Sequence, residues 1–336
     1  MKERNSMRTR MCVLTAGVLL ALTACSGGGN DDATTPAAGT ESSSAGGSET
    51  TEIKMGVLPI VPSAALQLGV DKGIFKEHGF DVSLETGQGG AALLPAVVSG
   101  QMQFAISNPL SLMLAQDQGL DVQVVTGYSH ALKEGDDITS VWTKPDSGIE
   151  SPADLSGKTV AVNNLKTQGE VSIREVVKKA GGDPDSIDFV ELGFPDMPAA
   201  LDAGNIDAAW VPEPFQTIFK DAGDKLVAYN YQETMPGVPT MAVFTSGKLA
   251  KQDPELVDNF AAAVDDVTAY AQEHPDEVRE TLTTFLDMKP ELAQKVLIED
   301  FRGQMDRDAL QTLADLALQD GILKNKVDMD TFMPKS

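Results

Sequence analysis

From residue 53 onward, short apolar runs alternate with longer stretches whose apolar positions recur every three or four residues. The runs at 54–58, 81–85, 104–107 and 122–126 have the length of strands, and the stretches at 63–73, 90–99 and 109–118 have helical spacing. A second series follows, with strands at 140–143, 159–162, 187–192, 207–210 and 225–229 and helices at 167–180, 196–203 and 213–222. Strand–helix alternation of this kind predicts parallel α/β sheets. After one more strand at 241–245 the chain turns helical. The segment 253–273 sets Leu256, Phe260, Val264, Val267 and Tyr270 along one side, and further helices begin near Pro275, Pro290 and Asp306.

The two series echo each other. Ser99-Gly100-Gln101-Met102-Gln103-Phe104-Ala105 and Ala203-Gly204-Asn205-Ile206-Asp207-Ala208-Ala209 each follow a short helix and lead into an apolar strand. Each strand then ends in a polar residue and a proline, Asn108-Pro109 and Glu213-Pro214. A polar N-cap followed by proline suits a helix start, because proline lacks a donor that would be orphaned there anyway. Gly87-Gln88-Gly89-Gly90 and Gly193-Phe194-Pro195-Asp196 form a second matching pair of helix starts. Two similar α/β lobes account for both echoes: 52–138 with 240–336 as the first, 139–239 as the second.

Ligands of open α/β sheets sit beyond the carboxyl ends of the strands, where helix N-termini offer unpaired N–H groups and about half a positive charge each. Two lobes facing each other across such ends enclose a cleft. The residues that fall there are Ser63, Gln88, Gly89, Gly90, Ser107 and Asn108 from the first series, and Lys166, Thr167, Gln168, Asp196 and Glu213 from the second. Tyr128 and Ser129 follow the fourth strand, where the chain crosses between lobes. This set suits gripping a small polar molecule. Lys133 and Lys166 are the only basic residues in the cleft loops. If Asp196 and Glu213 point inward they select a neutral or amino-bearing ligand; if they cap helices they lie outside the pocket. Trp142 and Trp210 either stack on a flat ligand or belong to the core.

Ahead of the first strand, Arg4, Arg8 and Arg10 precede a short apolar run ending at Leu22-Thr23-Ala24-Cys25. A basic start, an apolar stretch and small residues before a cleavage point are the layout of a secretory signal, here 1–24. The last four residues resemble a bacterial lipobox, which would make Cys25 a lipidated first residue. The stretch 25–51 is rich in Gly, Ser and Thr and cannot bury enough surface to order itself. As a flexible tether it would span about 28 Å. Loss of the leader removes a net +3 from Lys2, Arg4, Arg8, Arg10 and Glu3, which leaves −27 of an overall −24. Such acidity excludes nucleic acid as a partner, since phosphate binding needs clustered Lys and Arg. With Cys12 lost and Cys25 lipidated, no thiol remains for a disulfide, a metal or a nucleophile.

No catalytic pattern emerges. Gly157-Lys158-Thr159 has the end of a phosphate-binding loop, but Pro152 stands where the first glycine is required and a strand follows. His78, His130 and His274 lack metal-ligand spacing, with His130 a possible ligand contact, and no serine sits in a nucleophile elbow. No cofactor and no enzymatic activity are expected.

Residues 68–82, from Leu68 through Gly73-Ile74-Phe75 and Gly79-Phe80 to Val82, resemble a segment of the nitrate/sulfonate/taurine family of ABC-importer binding proteins. Gly89-Gly90 through Gly100-Gln101, Asp154-Leu155-Ser156-Gly157-Lys158 and Asp207-Ala208-Ala209-Trp210-Val211-Pro212-Glu213-Pro214-Phe215 are similar to that family too. Gln103 departs from it, standing where the family carries Asp. The resemblance covers about 53–245. It implies an α/β type II periplasmic-binding fold, with crossovers near 138–142 and 239–241 and the last helices returning to the first lobe. It also implies a monomeric lipoprotein tethered outside the cell membrane. That protein would close on a small solute and deliver it to a membrane permease. Sulfonate, nitrate and taurine are the family's solutes, and thiamine pyrimidine precursors are the alternative. A pyrimidine-synthase-like enzyme is the rival of another class, but its cysteine-rich motif is absent.

Overall fold

The computed structural model describes residues 50–333. The signal segment, Cys25 and nearly all of the expected tether lie outside the described residues.

Eleven strands among the described residues form two sheets. They are β1 (Thr51–Val57), β2 (Phe80–Thr86), β3 (Phe104–Ser107), β4 (Val122–His130), β5 (Thr139–Thr143), β6 (Thr159–Val162), β7 (Asp188–Glu191), β8 (Ala208–Pro212), β9 (Lys225–Ala228), β10 (Pro239–Ser246) and β11 (Asp300–Phe301). The first sheet has the order β2-β1-β3-β10-β4-β11, and the second β7-β6-β8-β5-β9. Over their first five positions the two orders correspond strand for strand. β1 pairs in parallel with β2 and β3, as β6 does with β7 and β8. The fourth strand of each sheet runs antiparallel to both neighbours: β10 to β3 and β4, β5 to β8 and β9. The sheets are therefore mixed, where strand–helix alternation predicts them parallel. β5 and β10 are the strands that enter each lobe from the other, so no crossover helix sets their direction.

The sequence echo is thereby explained. Its two copies lead into β3 and β8, which hold the same place in their sheets. Gly87–Gly90 and Gly193–Asp196 follow β2 and β7, again equivalent strands. Conserved topology repeats the same turn chemistry at the same strand ends.

Aromatic packing anchors the first lobe. Phe260, on the 20-residue helix Pro254–Glu273, stacks on Phe104 of β3 with ring centroids 3.8 Å apart, and Phe75 and Phe80 close around it. The same helix packs so tightly on Val61–Asp71 that a β-carbon at Gly69 would collide with Val267. The last long helix, Arg307–Gln319, packs on Pro109–Asp117 of the first lobe and also on Gln168–Lys179 of the second. It does not return to the first lobe alone.

β4 extends to His130 rather than ending near residue 126. Gly127 admits the Gly303 carbonyl against the strand, with the Gly127 N–H donating to it at 2.9 Å. The strand continues past this glycine because β10 and β11 flank it on both sides.

Candidate functional site

The carboxyl ends of β1, β3, β6 and β8 converge on a narrow cavity of about 20 Å³ between the sheets. The first lobe contributes Leu58, Ile60, Gly90, Asn108, Met241 and Glu299; the second contributes Thr139, Asn163, Phe194, Trp210, Pro212 and Tyr231.

Each wall has a local cause. Gly90 opens the helix Gly90–Ser99, and its missing side chain lets that helix start seat against β3: a β-carbon there would stand 2.6 Å from the Ser107 Cα. Across the gap, a side chain at Gly89 would run into Asn163 and Asn164. Asn108 caps the helix Pro109–Asp117 by accepting the Ser111 N–H at 2.9 Å. In the second lobe Trp210 lies between Phe194 and Tyr231, with centroids 5.7 Å from each. Its ring is pressed against Gly169, where a β-carbon would stand 2.7 Å from it.

The cavity is apolar on one side and polar where it counts. Trp210 Nε1 and Thr139 Oγ1 are buried and find no partner within the described residues, and Ser107 Oγ behind Gly90 is in the same state. Buried polar groups are nearly always paired, so such atoms mark places where an added molecule completes the bonding. Glu299 is 3% exposed and accepts the Thr240 hydroxyl at 3.1 Å. Burial pushes its pKa up to about 8, and the neighbouring carboxyls of Asp137 and Glu213 push the same way. Among the described residues, no lysine or arginine lines the cavity. Glu299 is the carboxylic acid of the wall, and once ionised it favours a hydrogen-bond donor or cation.

Of the residues singled out from sequence, Gly90 and Asn108 line this cavity. Gln88 and Asp196 are exposed at its rim on opposite lobes, with Gln88 Oε1 2.8 Å from where a Gly193 β-carbon would stand. Ser107 and Gly89 form the layer behind. Ser63 is buried and its hydroxyl accepts the Leu58 N–H at 3.1 Å, holding the turn that presents Leu58 and Ile60. Gln168 is buried beside Gly169, donates to the Pro239 carbonyl at 3.0 Å, and leaves Oε1 unpartnered.

Five of the expected residues lie elsewhere. Tyr128 and Ser129 lie within β4 rather than beyond its tip. The Tyr128 hydroxyl donates to the Pro62 carbonyl and its ring packs on Phe301, while Ser129 reaches Glu299 through Thr240, 2.7 Å away. Lys166 and Thr167 line an outer groove with Leu165 and Leu94, not the cavity. Glu213 points away from the cavity: its carboxylate takes Gln216 Nε2 at 2.9 Å, Thr217 Oγ1 at 2.8 Å and the Leu297 N–H at 3.1 Å. Burial raises the Glu213 pKa against these bonds. It acts as a helix cap, one of the two roles left open above.

Glu299, Thr139, Asn163 and Tyr231 carry no signal that sequence reasoning could use. Glu299 lies in a segment without helix or strand, and only the pairing of β11 with β4 brings it to the cavity. Trp210 did carry one, as a strand tryptophan at a carboxyl end.

Two α/β lobes of equivalent strand order thus face each other across this cavity. Residues 63–278 match the model of the NMT1/THI5 like family, and the chain belongs to that family. It is 30% identical over 207 residues to the taurine-binding periplasmic protein of Escherichia coli (strain K12), covering 61% of this chain and 62% of that protein. It is 23% identical over 243 residues to the formylaminopyrimidine-binding protein of Halalkalibacterium halodurans, covering 71% of each. The alkanesulfonate-binding protein SsuA from Xanthomonas axonopodis pv. citri, bound to MOPS, superposes with a TM-score of 0.70 at 18% identity, covering 83% of this chain and 96% of that one. The fold is the periplasmic-binding fold that the resemblance implied.

Proposed function

We propose that this protein is an extracytoplasmic solute receptor of an ABC importer, tethered through a lipid on Cys25 and closing its lobes over a small amino-bearing molecule. The observation that carries the reading is the buried cavity between the lobes, whose unpartnered Trp210 Nε1 and Thr139 Oγ1 face an aromatic wall and an acid, Glu299. A ligand bonded to both lobes stabilises the closed form relative to the open one by its differential contacts. A permease that recognises closed receptor then reads occupancy. The lobes move about the crossovers near 131–138 and 235–239, with 139–239 as one body and the rest as the other.

The relatives bind taurine and formylaminopyrimidine, and both named solutes bear nitrogen. An ammonium or amino group toward Glu299 suits either, and Asn108, Gly90 and the helix N-termini offer donors to an anionic or ring-acceptor end. Inorganic nitrate fits less well once Glu299 is ionised, because it supplies no donor to the carboxylate. The catalytic alternative is less well supported: among the described lining residues Glu299 stands without a histidine, lysine or second carboxylate to pair with.

A thermal-shift and calorimetric screen of taurine, other sulfonates, nitrate and aminopyrimidines tests the reading. Selective stabilisation without turnover, weakened by Trp210→Phe, supports it. Consumption of the ligand, or binding untouched by substitution at Trp210 and Glu299, overturns it.

A further inference from the structure

The unusual economy of Glu213 is that one residue of the second lobe holds two separate elements of the first. Its carbonyl accepts the Val61 N–H at 3.3 Å, at the start of the helix Val61–Asp71. Its carboxylate accepts the Leu297 N–H at 3.1 Å, two residues before Glu299. The residue is 1% exposed, and its carboxylate is braced within its own lobe by Gln216 and Thr217. Lys295 pairs with Asp221 at 2.7 Å beside it, again from lobe to lobe. This pair is exposed and weak, so the buried bonds to Glu213 are the stronger link.

We infer that Glu213 is a positioning residue: a clasp that holds the lobes together and fixes the segment of residues 295–299 that presents Glu299 to the cavity. The inference rests on the receptor reading above, and extends it to a residue that touches no solute. Opening the lobes must release Val61 and Leu297 from Glu213. The closed state gains from both bonds, and a solute needs less differential affinity to hold it. Glutamine keeps a side-chain carbonyl for Leu297 and replaces the carboxylate at similar volume. Alanine keeps only the main-chain bond.

The test measures lobe separation without any solute. Spin labels on Ser99→Cys and Ala203→Cys, two exposed and topologically equivalent positions, report it in a full-length chain carrying Cys12→Ser and Cys25→Ser. Glu213→Ala should shift the distance distribution toward longer values, and Glu213→Gln should restore it. Leu297→Pro removes the donor from the other side and should shift it equally, which covers the case of a Glu213→Ala chain that fails to fold. Combining the two should open the lobes no further than either alone, because both remove one bond. Unchanged distances in folded Glu213→Ala or Leu297→Pro, or fully additive opening, overturn the clasp. Opening in a chain that binds no solute in the screen leaves the clasp standing and sinks the receptor reading instead.

Discussion

Thr240, on the strand that returns the chain to the first lobe, donates its hydroxyl to Glu299 at 3.1 Å inside the wall of the cavity. This bond favours the ionised acid, while burial opposes ionisation and wins, which places the Glu299 pKa near 8 against an ordinary 4.5. The folded protein thus holds more protons than the unfolded chain between those values. Its contribution to stability is full below pH 4.5 and is lost as pH rises through 8. Urea unfolding at pH 5, 7 and 9 should show declining stability in the wild type and a flatter profile in Glu299→Gln. Equal slopes in the two would mean that Glu299 is not the titrating group.

The same acid should couple pH to solute. Ionised Glu299 attracts an ammonium group more strongly than the protonated acid does, so affinity for an amino-bearing cation should rise from pH 6 to pH 8. Calorimetric titration across that range reads it directly. In Glu299→Gln the dependence should vanish, and a pH-independent wild type would count against the contact.

His130 gives the opposite sign. It is wholly buried in β4, neither ring nitrogen has a partner among the described residues, and burial, aided by the Arg302 charge, depresses its pKa to about 4 from 6.5. Its contribution to stability is present above pH 6.5 and is lost as pH falls through 4. His130→Gln should lose less stability than the wild type between pH 7 and pH 4, measured by denaturant midpoint.

Trp210 Nε1 is a donor only, so its partner must be an acceptor on the solute. Trp210→Phe preserves a ring against Gly169 and removes the donor. Solute affinity should fall by roughly tenfold, about 1.4 kcal/mol, the scale of one buried hydrogen bond. No loss on titration would remove the indole N–H from the site.

The helix start at Gly90 leaves no room for a side chain, since Ser107 lies behind it. Gly90→Ala should destabilise the protein by about 1–3 kcal/mol through overpacking and move a cavity wall. Gly100→Ala should cost less than that or a similar amount for a different reason, its φ of 80° in a helix cap with open space around it. Comparing solute affinity in the two separates them: only Gly90→Ala should weaken binding.

Periodicity and turn chemistry along the chain were enough to predict two α/β series and their repeated helix starts, because these depend on contacts between near neighbours in sequence. Asn108 and Gly90 were legible for that reason: capping polar residues and glycines at strand ends keep their meaning wherever the strand lies. The segment from Lys295 to Glu299, past the helix that starts at Pro290, has no such local logic. Only the pairing of Asp300–Phe301 with β4, and the grip of Glu213 on Leu297, carry it to the cavity. The direction of β5 and β10 was equally hidden, since a strand's sense relative to its neighbours is decided by which lobe the chain has just left. Glu213 shows the division most plainly. Sequence placed it at a helix start, and long-range packing decided that its carboxylate would bind its own helix and the opposite lobe rather than a solute.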